Sequence, residues 1–152
     1  MNILFFLTPK SEVEFVYNDD TLQQALDILE KSTYTAIPII NHKGEYKGTI
    51  SEGDLLWTLR DEANLNMQAL CEMKVSKVNR KYNNKPVKAN AMIDDLMHVA
   101  INQNFVPVID DDDVFIGIVK RRDVIRYYFE NECAKRVIGN KEERIVERVI
   151  LV

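Results

Sequence analysis

Ile37-Pro38-Ile39-Ile40-Asn41, a short turn, and Gly48-Thr49-Ile50-Ser51-Glu52-Gly53-Asp54 make up one stretch of the chain. A second stretch runs Val106-Pro107-Val108-Ile109-Asp110, a short turn, and Gly117-Ile118-Val119-Lys120-Arg121-Arg122-Asp123. Pro38 and Pro107, Gly48 and Gly117, and Asp54 and Asp123 are each 69 positions apart. Self-similarity at a fixed spacing means that one supersecondary unit is built twice. Two such units can bury each other's apolar faces. The fold class expected is α/β, two βαββα repeats packed pseudo-two-fold through their sheets.

Local signals fill in each repeat. Val13 to Tyr17 suits a short strand, and Asp20 is a candidate N-cap. Leu22, Ala25, Leu26 and Leu29 then follow at helical spacing, which predicts a helix over 21–32. Ala36 to Ile40 and Tyr46 to Ile50 read as a hairpin around Asn41-His42-Lys43-Gly44. Ser51 opens a second helix with Leu55, Leu56 and Leu59 expected on its inner face. The later copy repeats this order. Val87 is the remnant of the first strand, kept short by Pro86. Asn90 takes the cap, and Met92, Leu96 and Val99 take the helix at an offset of 70, which implies one residue fewer in that copy. Phe105 to Ile109 and Val114 to Val119 form the hairpin around four aspartates, and Val124, Ile125 and Tyr128 line the last helix. The divisions expected are a first repeat with its N-terminal extension over 1–63, a linker over 64–85, a second repeat over 86–132 and a tail over 133–152. The linker carries a short helix over Met67 to Met73, and the apolar end Val149 to Val152 is expected to pack on the body or on a partner chain.

Bulk properties narrow the function classes. The chain has 152 residues, of which 46% are hydrophobic and 29% charged, as in an ordinary globular domain able to bury a core. A net charge of −4 argues against a general nucleic-acid binder. Cys71 and Cys133 show neither metal-ligand spacing nor a redox pair. The opening Ile3 to Leu7 is too short for a signal peptide, and no stretch nears the roughly 18 apolar residues of a membrane span. A cytoplasmic protein with no membrane partner is expected.

The order strand, helix, strand, strand, helix, twice, with proline after the first helix and Gly-x-x-[Ser/Thr]-x-x-Asp at the second, resembles the CBS domain. The likeness covers roughly Glu12 to Tyr128. Tandem CBS pairs, or Bateman modules, are adenosine-ligand sensors in that family. The resemblance therefore implies a free-standing regulatory pair of the small bacterial kind, with an adenosine-containing small molecule as its ligand.

Residue chemistry can be set beside that implication. Ser51-x-x-Asp54 matches a helix capping box, which alone would explain the spacing. An additional role is ribose binding, since a carboxylate accepts hydrogen bonds from both vicinal hydroxyls. Asp123 repeats the carboxylate, but Lys120 stands where Ser or Thr belongs, so one ribose site is good and the other departs from the pattern. Lys120, Arg121 and Arg122 place three cations in the first turn of a helix, against the helix dipole. Phosphates bound at that helix start would neutralise them. A solvated basic face is the bland alternative. For the base, Tyr34, Thr35, Ala36, Ile37 and Pro38 form one wall and Phe15 and Val16 the other, with plain core packing as the alternative. The expected arrangement puts the ribose on Asp54 and the phosphates on cations from the second repeat.

The Asp110 to Asp113 turn lacks calcium-loop spacing, and His42 and His98 stand alone. No nucleophile and base pair, phosphate loop or dinucleotide fingerprint occurs. The reading is a ligand sensor, not an enzyme, needing no cofactor. It binds AMP, ADP or ATP in the cleft between the repeats, associates as a homodimer through helices, and signals to an effector protein that the sequence does not name. Cyclic di-AMP is the main rival ligand. S-adenosylmethionine fits less well, because its sulfonium would meet Lys120, Arg121 and Arg122. A ligand-free interaction module and a metal-dependent enzyme built on Asp54 and Asp123 are the other classes weighed.

Overall fold

The structure, a computed structural model, describes residues 2–62 and 64–150, with side chains described as far as residue 138. Its elements are β1 (Thr8–Pro9), β2 (Val16–Tyr17), α1 (Leu22–Lys31), β3 (Ala36–Ile40), β4 (Tyr46–Ser51), α2 (Glu52–Asp61), α3 (Met67–Cys71), β5 (Val87–Lys88), α4 (Ile93–Ala100), β6 (Phe105–Ile109), β7 (Phe115–Lys120) and α5 (Arg121–Ile150). They form two lobes of mixed sheet and helix. In one, β2 runs parallel to β3 and β3 antiparallel to β4; in the other, β5 runs parallel to β6 and β6 antiparallel to β7. The register shift between Ile39 and Ile40 recurs between Val108 and Ile109. The two βαββα units expected from the repeat are therefore present.

Each lobe has its own core. Leu22, Ala25 and Leu29 of α1 pack with Ile37, Ile39 and Ile50 in the first. Leu96 and Ala100 of α4 pack with Val106, Val108 and Val124 in the second. A third cluster joins the lobes: Val13, Ala36 and Ile40 meet Phe105, Phe115 and Ile118. The two hairpin tips also pair, with Phe115 N–H donating to the Gly44 carbonyl at 2.9 Å. Tyr46 and Phe115, 69 positions apart, stack at 6.3 Å, so repeat-related residues touch where the lobes meet.

The leader of each repeat packs on the opposite lobe. Ile3 is fully buried in the second core, and β1 adds an antiparallel strand to β7. The linker does the converse: Leu70, Val75 and Val78 complete the first core. Met73 and Asp20 carbonyls accept from Leu22 and Val75 N–H groups at 2.8 Å each. Residues up to about Val78, expected to be linker, are thus part of the first lobe. This exchange also explains the repeated glycines. A Cβ on Gly117 would overlap the Thr8 carbonyl oxygen of β1. A Cβ on Gly48, whose φ is +142°, would overlap the Arg80 guanidinium and stand 2.5 Å from Asn83 Oδ1. In both lobes the opposite leader packs against that glycine, by its backbone at Gly117 and by the Arg80 and Asn83 side chains at Gly48.

Several local expectations are corrected. Thr21, not Asp20, caps α1, in a capping box with Gln24; Asp20 instead accepts from Tyr17 N–H at 2.8 Å. Met92, not Asn90, occupies the cap position of α4, where Asp95 accepts its N–H. Leu22 and Ile93 begin the two helices, and by burial Ala25 matches Leu96 and Leu29 matches Ala100, each 71 positions on, so α4 is two residues shorter than α1 rather than one. On α2 the buried face is Asp54 and Thr58, while Leu56 and Leu59 are exposed. Ile125 on α5 is likewise exposed, while Val124 is buried as expected. The tail continues α5 without a break, a single helix of 30 residues. The expected packing of Val149 to Val152 lies outside the described residues.

Candidate functional site

Asp54 sits at the third position of α2, where a side chain can reach back to the helix start. Ser51 Oγ accepts from Asp54 N–H at 3.1 Å, and Asp54 Oδ2 accepts from Ser51 N–H at 2.9 Å, completing the capping box. The remaining oxygen, Oδ1, accepts from Lys81 N–H at 3.3 Å. Asp54 is buried, 4% exposed. The segment that covers it is tied down along β4. Asn83 Oδ1 accepts from Thr49 N–H at 3.0 Å and from Arg80 Nη1 at 2.9 Å. The Tyr46 hydroxyl donates to the Asn84 carbonyl at 2.6 Å. Beyond this segment lies a cavity of about 540 Å³ lined by Trp57, Arg60, Asp61, Asn79, Arg80 and Lys81.

Burial around the Tyr46 phenol pushes its pKa up to about 12, against smaller opposing effects of the Thr49 hydroxyl and the Arg80 cation. The neutral phenol is the form the fold favours, so this contribution to stability is whole below the ordinary tyrosine value near 10 and is lost as pH rises through about 12. Tyr46→Phe is expected to flatten that part of the alkaline decline, read as urea midpoints at pH 9 and pH 11; an unchanged slope would show the phenol to be solvated.

Asp123, at the matching position of α5, has a different environment. Its side chain is 28% exposed, with Arg122 Nε 3.9 Å away. It lines a cavity of about 370 Å³ together with Phe6, Leu7 and Thr8 of the first leader and Arg126 and Tyr127 of α5. Lys120, just before α5, carries its ammonium 5.7 Å from the Tyr34 ring centroid. Lys10, in the 3-10 turn that packs on β7, carries its own 5.3 Å from the Phe15 ring. Cations over aromatic faces attract, and here the Lys120–Tyr34 pair bridges the repeats. The residues singled out for base and phosphate, Tyr34 and Lys120, thus meet across the repeats.

The other singled-out residues fall into two groups. Phe15 packs half-buried at the lobe interface, edge-on to Tyr17 at 5.7 Å, and Thr35 is exposed beside Tyr34. Thr35 also offers its carbonyl to Glu52 N–H at the start of α2. Arg121 and Arg122 are exposed at the start of α5. By contrast, the Val16 and Ile37 side chains are fully enclosed in the first core, and Ala36 and Pro38 are buried in β3. The side chains of these four are core packing, the alternative reading, and offer no exposed wall for a base. The sequence reading misses Thr8, Lys10, Lys81 and Asn83, which come from leaders whose repetition shows only as Ile3 and Val75, a signal too sparse to read without the fold, and Arg126, which lies on α5.

The four-aspartate turn is a hydrogen-bonded loop: Asp110 Oδ1 accepts from Asp112 and Val114 N–H at 2.9 Å each, and Lys88 Nζ reaches Asp113 at 2.7 Å. Among the described residues no three His, Cys, Asp or Glu side chains converge as metal ligands. No described helix is long and apolar enough to cross a membrane.

Comparison with known proteins bears on this geometry. The family model for the CBS domain matches residues 7–61 and again 75–130. A curated relative, cyclic di-AMP receptor B of Bacillus subtilis strain 168, is 28% identical over 127 residues, covering 80% of this chain and 82% of the relative. The crystal structure of CbpB in complex with c-di-AMP superposes with a TM-score of 0.76 at 21% identity, covering 91% of each chain. That of CBSX2 in complex with AMP superposes with a TM-score of 0.69 at 22% identity, covering 86% of this chain and 98% of the other. These two structures share the fold with this chain.

Proposed function

This chain belongs to the CBS domain family, and on that premise we propose that it is a regulatory module, not an enzyme, that binds an adenine nucleotide between its two repeats and signals to a protein partner. The observation that carries the reading is the Lys120 ammonium held 5.7 Å over the Tyr34 ring. A cation from one repeat and an aromatic from the other meet where the repeats face each other, a pairing that suits a base carrying phosphate. Asp123 supplies the acceptor for ribose hydroxyls, Phe15, Tyr34 and Thr35 flank the base, and Lys120, Arg121 and Arg122 take the phosphates. AMP, ADP and ATP satisfy this arrangement. Cyclic di-AMP is the second reading, favoured by the relative that is named a receptor for it.

A thermal-shift panel tests the proposal. Ligand at about 100 times its dissociation constant stabilises by about 2.7 kcal/mol, or roughly 5–10 °C for a chain of this size. AMP, ATP or c-di-AMP is expected to produce such a shift and S-adenosylmethionine a smaller one. No shift with any of them would leave a ligand-free interaction module.

We also propose that the protein is a homodimer. Leu26, Leu56, Leu59 and Met67 are exposed around an apolar cavity of about 470 Å³ between α1, α2 and α3. Leu56, at 56% exposed, stands clear of the first core, so Leu56→Glu is expected to convert dimer to monomer in light scattering without unfolding the lobe. A wild-type monomer at high micromolar concentration would remove this proposal.

A further inference from the structure

The segments lying over the two repeat-related carboxylates differ by one hydrogen-bond donor. The leaders correspond at a spacing of 72. Asn2 bridges to Met92 at the cap of α4, and Lys74 bridges to Thr21 at the cap of α1. Ile3 and Val75 are the fully buried anchors of the two leaders. The same spacing matches Thr8 with Arg80, which cross Gly117 and Gly48 respectively, and matches Pro9 with Lys81. Lys81 has a backbone N–H and donates it to Asp54 Oδ1. Pro9 has none to donate. Asp54 is accordingly buried with both oxygens engaged, whereas Asp123 lines an open cavity.

We infer that the Asp54 position is occupied by the chain's own strap, Arg80 to Asn84, and that the protein takes one nucleotide, on Asp123. This rests on the nucleotide reading and says which of the two positions is used and why. The Lys81 N–H sits where a ribose hydroxyl would donate. Asn83 bonded to Thr49 and Asn84 bonded to Tyr46 hold it there. A second ligand would have to break those bonds, while a ligand on Asp123 faces a strand whose proline cannot compete.

Titration calorimetry with AMP and with c-di-AMP, together with amide hydrogen exchange on the free protein, tests this. One site per chain is expected. Asp123→Ala is expected to weaken binding at least tenfold, and Asp54→Asn, which keeps one acceptor for the helix cap, to change it less than twofold. The Lys81 amide is expected to exchange at least tenfold more slowly than that of its exposed neighbour Tyr82. Lys81→Pro, which copies Pro9, is expected to raise the stoichiometry toward two. Two sites in the wild type, an Asp54→Asn loss as large as that of Asp123→Ala, or a Lys81 amide exchanging as fast as Tyr82 would each overturn the inference. Failure of both nucleotides to bind, with Lys81 protected, would instead remove the nucleotide reading and the assignment of Asp123 with it.

Discussion

Replacing Arg121 and Arg122 together by alanine is expected to weaken AMP and c-di-AMP binding by more than a hundredfold. Charge-assisted hydrogen bonds contribute about 1.5–3 kcal/mol each, and each 1.4 kcal/mol is about tenfold in affinity. Adenosine, which has no phosphate, is expected to bind the double variant as it binds the wild type. The folded state should not suffer. Both side chains are exposed in the first turn of α5, where the helix dipole disfavours a cation by about 0.3–1 kcal/mol. The melting temperature is therefore expected to hold or rise. Calorimetry with the three ligands and one melting curve decide the matter. Equal losses for AMP and adenosine, or a large drop in melting temperature, would take the arginines out of the phosphate path.

Phe115→Ala is expected to be the most destabilising single change considered, at about 3–5 kcal/mol for a fully buried phenylalanine. Phe115 is 1% exposed, belongs to the cluster that joins the lobes and stacks on its repeat mate Tyr46. Its backbone N–H also ties the two hairpin tips together. A loss of that size corresponds to a fall in melting temperature of roughly 6–20 °C. Phe129→Ala, with its ring exposed on α5, is the control and is expected to stay within about 0.5 kcal/mol. Chemical denaturation of the two variants checks both values. A Phe115→Ala protein as stable as the control would show that the lobes do not need each other's apolar faces, contrary to the reason for the duplicated fold.

The strands and hairpins were legible in the residues because their signals are local. A β-branched run closed by turn chemistry, as in Ala36 to Ile40 followed by Asn41 to Gly44, needs no distant partner to be read. Helix faces were less legible. Leu56, Leu59 and Ile125 are apolar at helical spacing and yet exposed, because periodicity marks an apolar stripe without saying whether this chain or another covers it. Caps failed for a related reason. Asp20 and Thr21 are both good capping residues, and only the chain's path, with Asp20 turned back to Tyr17, separates them.

For the site, the sequence by itself determined the duplication, the paired carboxylates Asp54 and Asp123 and the cations beside the second of them. The Lys120 departure already marked the carboxylates as unequal, with Asp54 as the better site; only the tertiary structure showed Asp54 buried with both oxygens engaged and Asp123 facing a cavity, and that Tyr34 faces Lys120. The difference between the carboxylates follows from the leaders crossing to opposite lobes, which joins residues far apart in the chain: Lys81 with Asp54, and Thr8 and Pro9 with β7. A proline and a lysine 72 positions apart carry no pattern a reader of residues would pair. Once the chain lays Pro9 against Gly117 and Lys81 against Asp54, the presence or absence of a single amide hydrogen decides which acidic group stays open.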